Sequence, residues 1–541
     1  MKKSTSTTDR RLFLRQMGIC IAGISAYSIF PAELTARELP RHNLPRSSPE
    51  AQGISSADIL RFVENAEKSN AGLHSFMVVR HGYVVAEGWW APYAAGLTDW
   101  LYSLSKNFTS TAIGLAIQEG KLQLQDKVIS FFPDEKPRVM DPRLSALCVR
   151  DLLTMSSGHA QDTLFPLLMA KDGNWVKAYF AVPFMYEPGT HFLYNSGNTY
   201  MLSAILQKIT GQTMMEYLQP RLFSPLHIED AKWDTDPRGV NVGFAGLHLK
   251  TEDLAKFGQL YLQKGVWNGK RILSEAWIKE ATSFQIRNDE TGTPTKKEDD
   301  DIKQGYGYQF WLSRPVAQGA YRAEGAFCQY SIVMPAQDAV VAITAEGIST
   351  KRVMDLTWDI LLPAMQPGKL PANRPGHKAL QEKLSSLKLA APGHLPEQPV
   401  AATLTGKTFK MAENPMQVDT VSFNFNKEAS VFTLRDNKGA YSISCGHGDW
   451  IIGETNMPGS PTNPLAGIAL TQKVWKLAAS GTWTDEKTFV MTWRFFETPH
   501  FDIVTCIFEN GTVRIEYANS VTRILKMYKD PRPALNGSLI S

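Results

Sequence analysis

The residues Tyr102-Ser103-Leu104-Ser105-Lys106 carry the strongest chemical signal in the chain. A serine hydroxyl is a poor nucleophile until a neighbour takes its proton. A lysine can do so once partial burial or nearby cations lower its pKa. At the start of a helix, Ser-x-x-Lys spacing sets Ser103 and Lys106 one turn apart on one face. The free N–H groups of that helix end also favour a developing oxyanion. The same spacing recurs at Ser385-Ser386-Leu387-Lys388. That copy falls in a connecting segment and is read as chance. No CxxC or HExxH pattern occurs, so there is no strong metal signal, and acyl-enzyme chemistry on a serine calls for no cofactor.

Regular elements must hold such a pair. The runs Phe76-Met77-Val78-Val79 and Tyr83-Val84-Val85-Ala86, joined through His81-Gly82, predict an early antiparallel hairpin. Residues 103–119 predict a helix with Phe108, Ala112, Leu115 and Ala116 on one face and Gly120 as its stop. Further helices are expected over residues 199–209 and 252–261, the second with Thr251 as N-cap. Residues 289–301 are read as a charge-rich, solvated loop whose spacing fits no EF-hand. Strands are expected at 305–311, 330–334 and 339–344. Strands thus bracket a helical middle, which predicts an α+β domain whose sheet draws on both chain ends. A proline-rich stretch follows, with a short helix near 378–389. Beyond residue 401, short strands at regular spacing predict an all-β barrel or sandwich of about eight strands. Asn510-Gly511 marks one of its hairpins. Its tryptophans, Trp450, Trp475, Trp483 and Trp493, are read as core rather than as the lining of a ligand pocket.

The chain has 541 residues, 57 basic and 53 acidic, for a net charge of +4. Most of that excess lies in residues 1–36, so no basic surplus remains for binding nucleic acid. Those residues predict an export signal. Asp9-Arg10-Arg11-Leu12-Phe13-Leu14-Arg15 resembles a twin-arginine leader, and a charge-free stretch at residues 16–32 follows. That stretch is short against the roughly 20 residues a bilayer span needs. No stable membrane span is expected once the signal is removed, and the expected location is periplasmic or secreted. The expected organisation is a signal at 1–36, a catalytic domain at 37–365, a connection at 366–400 and a β domain at 401–541. Beyond Cys20 in the signal, Cys148, Cys328, Cys445 and Cys506 are read as free thiols, because twin-arginine cargo folds before export.

The flanks separate the two Ser-x-x-Lys copies. The run from Ser103 through Asn107-Phe108-Thr109-Ser110-Thr111-Ala112 to Glu119-Gly120-Lys121-Leu122 resembles the nucleophile helix of the serine β-lactamase and penicillin-binding family. Val149-Arg150-Asp151-Leu152-Leu153-Thr154-Met155-Ser156-Ser157-Gly158 is similar to that family's segment before its helical subdomain. Phe192-Leu193-Tyr194-Asn195-Ser196-Gly197 resembles its second motif, and Asp253-Leu254-Ala255-Lys256-Phe257-Gly258 also matches. Together these cover residues 50 to 350 in the expected order.

The resemblance implies a β-lactamase/transpeptidase-like domain: an antiparallel sheet with flanking helices and a helical subdomain. It implies Ser103 as nucleophile, Lys106 as base and Tyr194 as the second acid/base. It places Ser196 and Gly325 at the substrate, and an oxyanion hole at the backbone N–H groups of Ser103 and Ala326. Two departures stand out. Class C enzymes of the family have Asn two residues after the tyrosine, where this chain has Ser196. Their third motif places a cation where this chain has Ala323, and alternation turns the adjacent Arg322 to the other face. The expected activity is therefore hydrolysis of an ester or amide in a small or peptide-like substrate that lacks the family's usual carboxylate. A β-lactamase or DD-peptidase, or a penicillin-binding sensor that never turns over, are the alternatives.

Overall fold

Tight turns fix the register of the main sheet. In the computed structural model, which describes residues 43–541 except 289–299, 394, 396, 397, 525–528 and 541, strand β1 (Leu73–Arg80) returns as β2 (Tyr83–Trp89) through His81 and Gly82. Both turn residues have positive φ, 50° and 79°, the geometry whose twist matches paired strands. The leader at residues 1–36 and most of the charge-rich loop lie outside the described residues. Strands β3 (Trp311–Leu312), β4 (Tyr321–Gly325), β5 (Gln329–Met334) and β6 (Ala339–Ala345) complete six antiparallel strands in the order β2-β1-β6-β5-β4-β3. The two ends of this region thus share one sheet, as its strand pattern predicts.

Side-chain alternation divides the sheet between two cores. Met77 and Val79 of β1, with Val340 and Ala342 of β6, face the side that holds helix α2 (Ser105–Gln118) and helix α4 (Thr251–Leu262). Phe76 and Val78, with Val341 and Ile343, face the side that holds helix α1 (Ser56–Lys68) and helix α5 (Arg374–Ser385). Helix α1 buries Ile59, Phe62, Val63 and Ala66, the i, i+3, i+4, i+7 stripe of a surface helix. The connecting segment therefore carries a helix that packs on the sheet: Leu380 and Leu387 belong to the same core. Helix α3 (Ser196–Thr210) lies in the helical middle. Helix α4 begins at Thr251 with Lys250 as its cap residue. Asp253 accepts the Lys250 N–H, and the Thr251 hydroxyl pairs instead with Ser75 Oγ at 2.6 Å.

Helix α2 is buried along almost its whole length although it is rich in hydroxyl and amide side chains. Each of the buried ones has a partner, as buried polar groups must. Asn107 Nδ2 donates to Gln309 O and Ser110 Oγ to Tyr308 O, both at 2.7 Å, and Thr109 Oγ1 donates to Gly243 O at 2.9 Å. These contacts overturn the expected strand at 305–311. The carbonyls of residues 308 and 309 serve α2, Gln309 has φ 67°, and only Trp311–Leu312 is left to pair with β4.

The C-terminal region forms a ten-stranded antiparallel sheet, two strands more than its spacing predicts. The sheet runs backward from Ala440–Cys445 to Lys407–Met411. That strand pairs with the last one, Leu535–Leu539, and the order continues backward to Ile451–Thr455. A bridge between Gly446 and Ser480 brings the two ends of the sheet together, giving a nearly closed barrel. Asn510 and Gly511 turn with φ 50° and 75° between paired Glu509 and Thr512. Phe423, Phe425, Phe432, Trp475, Trp483, Trp493 and Phe508 pack together in the barrel core. Trp450 lies outside it, half-buried, donating Nε1–H to Leu389 O at 3.0 Å. The four described cysteines are free. No helix among the described residues is long and apolar enough to cross a membrane.

Candidate active site

Ser103 lies in a short 3-10 turn, Tyr102–Leu104, that leads directly into α2. Lys106 Nζ donates to Ser103 Oγ at 2.9 Å and to Phe244 O at 3.2 Å. Lys106 is 1% exposed. Burial pushes its ammonium down to about 7, against the pull of the Asp162 carboxylate. A lysine at that pKa is about half neutral near pH 7, and the neutral form can accept a proton.

Tyr194 sits two residues before α3, with Lys106 Nζ 4.8 Å from its ring centroid. Burial raises its phenol above the ordinary value, and a hydrogen bond with Ser103 works the other way. The ring stacks on Trp311 of the edge strand, centroids 5.4 Å apart. The structure thus brings Ser103, Lys106 and Tyr194 into one cluster. The second copy has no such setting: Ser385 ends α5, is exposed, and donates to Glu382 O.

The residues after Tyr194 brace the loop that carries Asp162. Asn195 caps α3 and accepts from Gly197 N, Thr163 N and Thr163 Oγ1. Ser196 donates its N–H to Asp162 Oδ1 at 2.9 Å, and its side chain works against the rise of that carboxyl. Ser196 is therefore engaged with the acid nearest in charge to Lys106. Burial raises the Asp162 carboxyl. No sequence motif pointed to Asp162 or Trp311, because each acquires its role from folding alone.

Gly325 ends β4 against the turn that carries Ser103. A Cβ on it would fall 2.2 Å from Leu101 O and 3.1 Å from Leu104 N. The missing side chain thus admits the protein's own turn, where the sequence had suggested room for substrate. Ala326 follows at an exposed position in a turn. Ala323 is 1% exposed within the α2 core. Arg322 points to the opposite face, donating to Glu324 Oε2 at 2.7 Å, Leu312 O at 2.9 Å and Asp301 O at 3.3 Å. The strand's one cation is thus committed elsewhere.

The C-terminal barrel reaches this turn. The Tyr102 hydroxyl is hydrogen-bonded to His500 Nε2, across 398 residues of chain. Nearby, Arg494 pairs with Glu346, and Thr471 donates both its N–H and its hydroxyl to Asp234 Oδ1.

This fold has known counterparts. A family model described as Beta-lactamase matches residues 65–362, over half of the chain, and the chain belongs to that family of hydrolases. A 6-aminohexanoate-dimer hydrolase of Paenarthrobacter ureafaciens is 29% identical over 38% of this chain and 55% of its own length. A lovastatin esterase of Penicillium rubens is 27% identical over 25% of this chain and 40% of its own length. The chain spans about half the length of the curated relatives it matches. A solved structure from Bacillus anthracis, assigned as a 6-aminohexanoate-dimer hydrolase, aligns with a TM-score of 0.50 at 21% identity. It covers 61% of this chain and 89% of that one, and this likeness shows the fold. The family match ends before the barrel begins.

Proposed function

We propose that the protein is a serine hydrolase that cleaves a neutral ester or amide through an acyl-enzyme on Ser103. The observation that carries this reading is the 2.9 Å contact between Lys106 Nζ and Ser103 Oγ, made by a lysine held at about 7. Neutral Lys106 takes the Ser103 proton as Oγ attacks the substrate carbonyl. The backbone N–H groups of Ser103 and Ala326 hold the oxyanion. Tyr194 passes a proton to the leaving alcohol or amine, and water then attacks the acyl-enzyme by the reverse relay. The names of the two relatives, one an esterase and one a dimer hydrolase, support this class. Export also belongs to this reading: the paired Arg10-Arg11 and the charge-free stretch after them support delivery beyond the cytoplasmic membrane.

The committed Arg322 and buried Ala323 favour substrates without a carboxylate. Losing a charge-assisted hydrogen bond costs roughly 1.5–3 kcal/mol, or about one to two decades in kcat/KM. Assays with p-nitrophenyl butyrate and nitrocefin test this. The ester is expected to turn over and nitrocefin to be slow or inert. Efficient nitrocefin hydrolysis would replace the proposal with a β-lactamase. A lasting penicillin adduct with no ester turnover would replace it with a sensor.

A further inference from the structure

Two residues flank the backbone groups to which the oxyanion hole is assigned. Tyr102 precedes Ser103, and Phe327 follows Ala326. Both lie in the left-handed region, at φ 50° and 64°. Non-glycine residues there are strained by about 1 kcal/mol or more, and persist only where their surroundings over-determine them. Neither residue is held by the catalytic domain alone.

The side chain that meets both comes from the barrel. His500 begins the strand His500–Glu509. Its Nε2 bonds the Tyr102 hydroxyl, and its ring lies edge-on to Phe327 with centroids 5.2 Å apart. Phe327 in turn lies edge-on to Tyr102 at 5.1 Å, and Trp100 flanks Tyr102 at 4.6 Å. His500 is itself fixed from behind. Its Nδ1 lies 2.8 Å from Ser520 Oγ, and its N–H donates to Thr498 Oγ1 at 3.0 Å. His500 is 4% exposed, and burial pushes its pKa down to about 3. It is therefore neutral at working pH. Nε2 accepts the Tyr102 O–H while Nδ1–H faces Ser520, an assignment made from the bonding pattern.

We propose that His500 is a positioning residue for catalysis: through Tyr102 and Phe327 it sets the Ser103 and Ala326 backbones relative to each other, so the C-terminal barrel completes the oxyanion hole. The barrel then works as part of the active site while its own core stays filled with aromatic side chains. The inference rests on the Ser103 reading.

The test uses the full chain. Tyr102→Phe removes one buried oxygen, His500→Ala removes the imidazole, and His500→Gln restores a side-chain amide in its place. The readouts are the rate of inactivation by a fluorophosphonate, and kcat and KM for p-nitrophenyl butyrate. A misplacement of about 1 Å can cost about 10²-fold in rate. Tyr102→Phe and His500→Ala are each expected to lower both kcat and the inactivation rate by about tenfold or more, with KM changed by less than about threefold. The double variant should be no worse than the poorer single one, because both act through one contact. His500→Gln should recover part of the loss. Trp450→Phe, which loses a seam hydrogen bond away from Ser103, should keep full kcat. If His500→Ala does not fold, Tyr102→Phe decides the matter alone. A folded Tyr102→Phe with wild-type kcat and inactivation rate overturns the inference and leaves the Ser103 reading standing. A wild type that neither labels nor turns over overturns the Ser103 reading, and the inference with it.

Discussion

At the residue scale, the account turns on the proton of Lys106. Burial holds it at about 7, well below the ordinary lysine value, and the Asp162 carboxylate pulls it upward. The base must be neutral to act, so kcat/KM for a neutral ester should rise with pH and level off above about 7. Below that point it should fall about tenfold per pH unit. Asp162→Asn keeps an oxygen for the Leu164 and Ser196 N–H groups and removes the charge. The midpoint should therefore move to lower pH. A midpoint that stays in place or moves up would remove Asp162 from the electrostatics of the base. The grouping of Ser103, Lys106 and Tyr194 was legible in the sequence because their motifs occur in a fixed order. Asp162, Trp311 and His500 were not, because no local pattern marks a side chain whose partner is brought to it by folding. Ser196 was legible as a position, but its engagement with Asp162 was not.

At the element scale, the close packing of β4 on the turn that carries Ser103 is an exacting contact. A methyl at Gly325 would sit 2.2 Å from Leu101 O, and backbone cannot yield as a flexible side chain can. Gly325→Ala should therefore separate the strand from the turn, cutting kcat by about 10²-fold and lowering the melting temperature. Unchanged kinetics in Gly325→Ala would show that the contact is slack. Elements closed by local chemistry were read correctly from sequence. His81-Gly82 and Asn510-Gly511 both form turns with paired positive φ values, and α2 stops near Gly120, at φ 69°. The stretch at 305–311 was misread as a strand. Its aromatic, β-prone residues fit a strand pattern, yet its carbonyls go to Asn107 and Ser110 of a buried polar helix. Tertiary demand for acceptors overrode local propensity there.

At the scale of the whole molecule, the seam between the two regions is built around buried charge. Burial alone would raise the Glu346 carboxyl, but Arg494 and His74 override it and hold it at about 2. A carboxyl depressed on folding contributes stability that is fully present above its unfolded value, near 4.5, and lost as pH falls toward about 2. Arg494→Ala leaves Glu346 without its strongest partner. It should cost about 3–5 kcal/mol in denaturant unfolding at neutral pH, with a smaller deficit in acid. An equal deficit at both pH values would contradict the role given to this pair. The α+β class and the β-rich C-terminal region were both legible in the chain's patterning. The seam was not, since nothing in the order of residues relates Arg494 to Glu346 or Thr471 to Asp234. The two extra barrel strands escaped for a related reason: the last strand, Leu535–Leu539, gains its identity by pairing with Lys407–Met411.

The central claim is that Ser103 becomes acylated during turnover. The most direct measurement is intact-mass spectrometry of the full chain quenched during hydrolysis of p-nitrophenyl butyrate, followed by peptide mapping of the adduct. The account predicts a mass increase of one butyryl group, located on Ser103, lost on further incubation and absent from Ser103→Ala. An adduct that maps to another residue, or that persists in Ser103→Ala, would contradict it.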